Sequence, residues 1–264
     1  MPYVTSIETL TREKNTFFTG LFSKQWTLDR DENDKSIFID RNGELFTHIL
    51  EYLRTDSVPK VVLKNDSLYR SVLIEAEYFH LHSLITKLRG FRGGTLLHWR
   101  LQKKLVEFHG KRNQQWELIY KASRDGFDAN AFHKHCDNKG PTMTIVQSDN
   151  GYLFGGYTAV AWTSSSGSYA NDSEAFLFTL TNPHSIPPTK YPINPASAGN
   201  AVYHGVSYGP YFGSYALGIS NNSNSSQSTT QLPNVYIDTT GKGNNTFTGA
   251  TNFLTKDIEV FKLA

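Results

Sequence analysis

The 264-residue chain has a single cysteine, Cys136, so no disulfide can form within it. No apolar run approaches the roughly 18 residues of a membrane-spanning helix. The amino-terminal stretch MPYVTSIETLTREK lacks the apolar segment of a secretory signal. These absences set the expectation of a soluble, cytoplasmic protein, in which Asn-x-Ser/Thr matches such as Asn224-Ser225-Ser226 are chance products of polar loops. Excess charge is also lacking. A formal net charge of +2 gives no reason to expect nucleic acid or an acidic substrate.

What is present suffices for a packed interior. The chain is 38% hydrophobic and 13% aromatic, and its length admits one large domain or two ordinary ones. Charge is unevenly spread: residues 1–90 carry 12 Lys/Arg against 13 Asp/Glu, residues 91–123 seven against two, and the rest seven against nine. A basic strip therefore joins two near-neutral blocks.

In the first block, Ile37 to Ile39 reads as a short strand and the following Asp-Arg-Asn-Gly as a turn. From Glu44 the apolar positions Leu45, Phe46, Ile49, Leu50 and Leu53 have helical spacing. Pro59 and the β-branched pair Val61-Val62 are expected to end that helix and lead into extended chain. A second helix is expected from Asp66-Ser67 through Leu68, Val72, Ala76 and Phe79. LHSLITKLRG then closes with basic residues and Gly90.

FIDRNGELFTHILEYLR followed by LIEAEYFHLHSL resembles the potassium-channel tetramerisation type of BTB/POZ domain, and TSIETLTREKNTFFTGLFS fits the approach to its first long helix. The resemblance covers residues 3 to 88. That family opens with a strand carrying an Asn-Val-Gly-Gly-like motif, which would lie just ahead of Tyr3, so the first sheet strand is expected to be missing. The resemblance implies an α/β module that self-associates, usually as a tetramer or pentamer, and that in some relatives adapts substrates to a cullin-type ubiquitin ligase.

Gly93-Gly94 lies in a stretch, residues 91–94, that reads as a hinge between domains 1–90 and 95–264. After it, Leu97, Leu101, Leu105 and Phe108 share a helical face, with Arg100, Lys103, Lys104 and Glu107 elsewhere. Trp116, Leu118 and Tyr120 alternate as in a strand. Asp125-Gly126 gives a turn and Asp128 a helix cap. Asp149-Asn150-Gly151 joins two strands and is the strongest short hairpin signal in the chain. Gly155-Gly156 is expected to permit a close approach or a bulge. EAFLFTL, NVYIDTT and DIEVFKL read as further strands, and NNSNSSQSTTQLPN as a mobile loop.

Four chemistries can be tested on these residues. His133 and Cys136 share a helical face, but His135 points elsewhere and no second cluster completes a zinc tetrahedron. Cys136 as a nucleophile needs a base and a depressed pKa that the sequence does not supply, and a lone thiol more often fills a core. GVSYG around Ser207 matches G-x-S-x-G but is followed by strand-like sequence, not by the helix that such an elbow requires. DTTGKGNNTFTG, with Lys242, lacks phosphate-loop spacing. All four readings fail on context, so no catalytic residue, cofactor or metal is expected.

WELIYKASRDGFDANAFHKHCDNKGPTMTIV, GYLFGGYTAVAW, EAFLFTL, GNNTFTG and IEVFKL, in that order, resemble the TLDc domain over about residues 95 to 264. This implies a β-sandwich edged by helices, in a family linked partly to resistance against oxidative damage and partly to binding of the rotary proton-pumping ATPase. Residues 212–219, FGSYALGI, stand where many relatives have a more glycine-rich segment carrying an aspartate or histidine. The expected architecture is thus α+β. The expected function is a non-enzymatic scaffold that self-associates through its front module and binds a protein through its rear module. The rival expectations are a cullin-type ligase adaptor and a redox enzyme using Cys136. Exposed partner-binding candidates are Arg124 and Asp125, and the loops around Tyr169 and Tyr208.

Overall fold

The computed structural model describes all residues except 1, 24, 26–29, 112, 113 and 165. The chain divides into two compact units, Met1–Arg89 and Gly90–Ala264.

The first unit contains α1 (Ile7–Leu10), α2 (Phe17–Leu21), α3 (Gly43–Thr55), α4 (Lys60–Lys64), α5 (Asp66–Tyr78) and α6 (His82–Leu88). Asparagines start both long helices. The Asn42 side chain accepts from the Leu45 N–H, and that of Asn65 from the N–H groups of Ser67 and Leu68. Helical spacing then turns Ile49, Leu50 and Leu53 of α3 and Val72, Leu73 and Ala76 of α5 inward. Phe18 and Phe79 stack at 4.8 Å among them.

Two expectations fail here. Ile37–Ile39 forms no strand: Phe38 is 86% exposed, and no strand lies in this unit among the described residues to pair with it. Pro59 does not lead into extended chain but stands at the N-cap of α4, where its φ of −57° suits a helix start, and Val62 is buried.

The second unit opens with β1 (Phe91–Arg92), α7 (Trp99–His109), β2 (Trp116–Lys121), α8 (Ala122–Asp125) and α9 (Ala129–Cys136). The strands β3 (Thr142–Ser148), β4 (Leu153–Thr158), β5 (Ser166–Ala170), β6 (Phe176–Thr179) and β7 (Thr189–Pro192) follow. Last come β8 (Val202–Gly205), β9 (Tyr208–Phe212), β10 (Leu217–Ser220), β11 (Ser228–Thr229), β12 (Asn252–Phe253) and β13 (Thr255–Leu263). A seven-stranded sheet has the order β1-β2-β13-β3-β4-β6-β7, and a six-stranded sheet the order β12-β11-β10-β9-β8-β5. Helices and sheets together make the architecture α+β.

The sheets pack face to face around Phe154, Leu177, Val202, Phe212, Leu217 and Val260. The other face of the seven-stranded sheet is also covered. There Leu105 of α7 packs in one buried cluster with Trp116, Met143, Phe178 and Phe261. The β3–β4 hairpin turns at the expected Asp149-Asn150-Gly151, with φ +87° at Gly151. Gly155 serves a close approach, not a bulge: its register with Ile145 is regular, and a Cβ there would meet the Thr144 carbonyl oxygen.

Residues 91–94, expected as a hinge, are built into this unit. Phe91 is buried and pairs with Trp116 across β1 and β2, and a Cβ on Gly94 would fall 2.6 Å from Glu259 Oε2. Glu259 is itself fully buried. It accepts from the N–H groups of Thr95 (2.7 Å) and Leu96 (3.3 Å) and pairs with Lys121 Nζ at 2.8 Å, tying the start of the unit to β2 and β13.

NVYIDTT makes only the isolated bridge between Ile193 and Tyr236, because Asp238 turns the chain back. The Asn/Ser-rich stretch is a built loop: Ser223 is buried against the Thr255 hydroxyl, and Asn221 Oδ1 accepts the Ala129 N–H at the head of α9.

Candidate partner-binding surface

The residues singled out for chemistry are occupied with structure. His133 Nδ1 lies 2.8 Å from Asp137 Oδ1, and its Nε2 lies 3.2 Å from the Gly205 carbonyl, so both ring nitrogens face oxygen acceptors. Cys136 is completely buried, and burial pushes its thiol well above the ordinary value, so the thiolate that redox or nucleophilic chemistry requires is disfavoured. This counts against the Cys136 redox reading. Ser207 sits with Val206 in the two-residue turn between β8 and β9, with strand on both sides. In the glycine-rich loop the Asp238 carboxylate takes the N–H groups of Thr240, Gly241 and Gly243, the donors a phosphate would have used. Among the described residues no group of three His, Cys, Asp or Glu side chains is placed to hold a metal.

Arg124 and Asp125 lie on α8. The guanidinium donates to both oxygens of the neighbouring carboxylate, at 2.8 and 2.7 Å. That contact is the first cause of Asp125 being held below the usual carboxylate value. Asp125 also accepts the Lys121 N–H. This exposed arginine and its neighbour close a turn and make no contact with Tyr169 or Tyr208.

Tyr169 and Tyr208 belong to one surface. Antiparallel pairing of β5 with β8 sets Tyr169 opposite Tyr203, with ring centroids 5.1 Å apart. Tyr203 lies 6.2 Å from Tyr208 and 5.4 Å from Tyr211, and Tyr211 lies 5.3 Å from Tyr208 and 5.7 Å from Tyr215. Strand alternation explains the placement: Val202 and Phe212 turn into the core, so their neighbours Tyr203 and Tyr211 face outward.

Glycines make room for the rings. A Cβ on Gly205 would meet Tyr203 at 2.7 Å, and one on Gly218 would meet Tyr211 at 2.6 Å, so each ring lies across a bare stretch of backbone. Tyr215 is 50% exposed, Tyr169 44% and Tyr208 38%, with the exposed Val206 beside them in the β8–β9 turn. Tyr211 is buried at their centre. Burial first, then the neighbouring Tyr215, Tyr169 and Tyr208, push its hydroxyl far above the ordinary value, so it stays protonated.

Sequence reasoning reached Tyr169 and Tyr208 but missed Tyr203, Tyr211 and Tyr215. A local signal existed: between Lys190 and Asp238 lie 47 residues without one Asp, Glu, Lys or Arg. That stretch supplies β8 to β11 of the six-stranded sheet. The resulting face is aromatic, hydroxyl-bearing and uncharged.

Comparison with known proteins agrees with this division of the chain. A BTB/POZ domain model matches residues 1–88 and a TLDc domain model residues 92–264. Among curated relatives, the human BTB/POZ domain-containing protein KCTD21 is 28% identical over 145 residues, 51% of this chain and 54% of that protein. FH protein interacting protein FIP2 of Arabidopsis thaliana is 34% identical over 83 residues, 31% of this chain and 27% of that protein. MTOR-associated protein MEAK7 of Mus musculus is 24% identical over 70 residues, 26% of this chain and 15% of that protein. The chain thus spans about half or less of the length of these relatives. With the sandwich, its covering helix α7 and the match over residues 92–264 in agreement, the chain belongs to the TLDc domain family and carries a BTB/POZ domain ahead of it.

Proposed function

We propose that this protein is a non-enzymatic, self-associating adaptor. Its BTB/POZ unit gathers several copies, and its TLDc unit presents a protein-binding surface on the tyrosine face. The observation that carries the binding half is that face: five tyrosines in mutual contact, three of them well exposed, on a sheet surface free of charge. Tyrosine brings large contact area with only two rotatable bonds and a polar tip, which is why it concentrates at interfaces. Exposed Phe38, Ile74 and Tyr78 in the first unit supply apolar surface for contact between copies. Gathering copies raises the avidity of a weak binding face without new contacts.

The partner that the TLDc resemblance points to is the rotary proton-pumping ATPase, and a role in oxidative-stress protection belongs to the same reading. MEAK7 and FIP2 are named for protein association, which supports an adaptor in general terms.

Light-scattering mass of the purified full chain tests the first half. A mass of several chains, reduced by Phe38→Asp with Ile74→Asp, is expected, and a single-chain mass defeats it. Co-sedimentation with the purified soluble sector of the ATPase tests the second half. Retention that Tyr208→Ala with Tyr215→Ala abolishes is expected, and absence of retention removes that partner.

A further inference from the structure

Three features of the tyrosine face narrow what can occupy it. The first is charge. No charged side chain occurs from residue 191 to residue 237, nor from Thr163 to Asn171 around β5, so the face offers an ionic partner nothing to pair with.

The second is ring orientation. Successive rings are set at 57° (Tyr169–Tyr203), 61° (Tyr203–Tyr211), 70° (Tyr208–Tyr211) and 68° (Tyr211–Tyr215). Steeply inclined neighbours give the surface relief rather than one flat platform. A planar base stacks best on a flat face, whereas a compact, puckered apolar ring suits an uneven one.

The third is hydrogen-bonding polarity. Ser214 Oγ donates to Tyr169 Oη at 3.1 Å, which leaves the phenol proton of Tyr169 to be donated elsewhere. A ligand rich in acceptors and poor in donors is matched by such a surface.

From these features, and resting on the reading of this face as the binding surface, we infer that it takes an uncharged, proline-rich segment of a partner protein in the polyproline II conformation. Proline supplies the puckered apolar ring and removes the backbone N–H, so the segment presents carbonyl acceptors to the phenol donors. Its extended form exists before binding, which lowers the ordering cost on a shallow surface.

The experiment is selection of a random displayed peptide library on the full chain. The counter-selection uses the full chain carrying Tyr208→Ala with Tyr215→Ala, two exposed positions whose replacement should leave the unfolding curve in place. Expected is enrichment of neutral sequences with prolines three residues apart. A synthetic peptide of that type should bind at least tenfold more weakly to the double variant, with an affinity that changes less than twofold between 50 and 500 mM salt. Enriched peptides that depend on the two tyrosines but lack proline, or are charged, overturn the inference while leaving the face a binding surface. A selection in which nothing depends on the tyrosines overturns both.

Discussion

The two sheets of the TLDc unit follow the same two-residue alternation and use their outer faces in opposite ways. The seven-stranded sheet is apolar on both sides, one side meeting its partner sheet and the other meeting α7. The six-stranded sheet is apolar only inward, and outside it sets tyrosines over glycines with water beyond. Burial on two sides makes a side chain a stability determinant. Burial on one side leaves its neighbour free to serve recognition.

This contrast can be broken or sharpened by substitution. The largest effect is expected at Phe178, fully buried beneath the covered outer face of the first sheet. Phe178→Ala should cost about 3–5 kcal/mol, read from the denaturant midpoint of the second unit. A loss under about 1 kcal/mol would mean that this face is not closed.

Glu259→Gln comes next. It keeps the shape but removes the charge facing Lys121 and weakens acceptance from the Thr95 and Leu96 N–H groups, for about 1–3 kcal/mol by the same measurement. On the open sheet, Gly218→Ala places a methyl 2.6 Å from the Tyr211 ring and forces that ring outward. About 1–3 kcal/mol is expected, together with loss of tyrosine-dependent peptide binding. Unchanged binding would detach Tyr211 from the face.

Acid separates the regions differently. Burial lowers the pKa of His204, on β8, and of His109, at the end of α7. Both bind protons less readily when folded than when unfolded. The second unit should therefore be most stable above the ordinary histidine value of 6.5 and lose stability as pH falls through it. His204→Asn should flatten that slope in urea titrations run from pH 8 to 5.5, and an unaltered slope would exonerate His204. The smallest effect is expected from Tyr208→Ala, within about 0.5 kcal/mol of the parent, because its ring is exposed at the turn.

Much of the frame is legible in the order of residues because it is local. The Asn caps, helical spacing in α3 and α5, the cap at Asp128 and the Asp149-Asn150-Gly151 turn each depend on neighbours within a few positions. Ile37–Ile39 has a strand's composition but, among the described residues, no strand in its own unit to pair with, and pairing is not a local property. Pro59 is ambiguous on its own, since one fixed φ both ends a helix and begins the next. The tyrosine face is least legible of all: Tyr169 meets Tyr203 only through the register of β5 with β8, across 33 intervening positions.

Within the seven-stranded sheet, β13 lies between β2 and β3 although it is more than a hundred positions beyond them in the chain. During synthesis both of those earlier strands must wait on the ribosome with an unmated edge, and the sheet can close only when residues 255–263 emerge. A nonsense codon anywhere upstream of Thr255 therefore strips out the keystone rather than trimming a margin. The released fragments would be prone to clump or to need a chaperone's shelter.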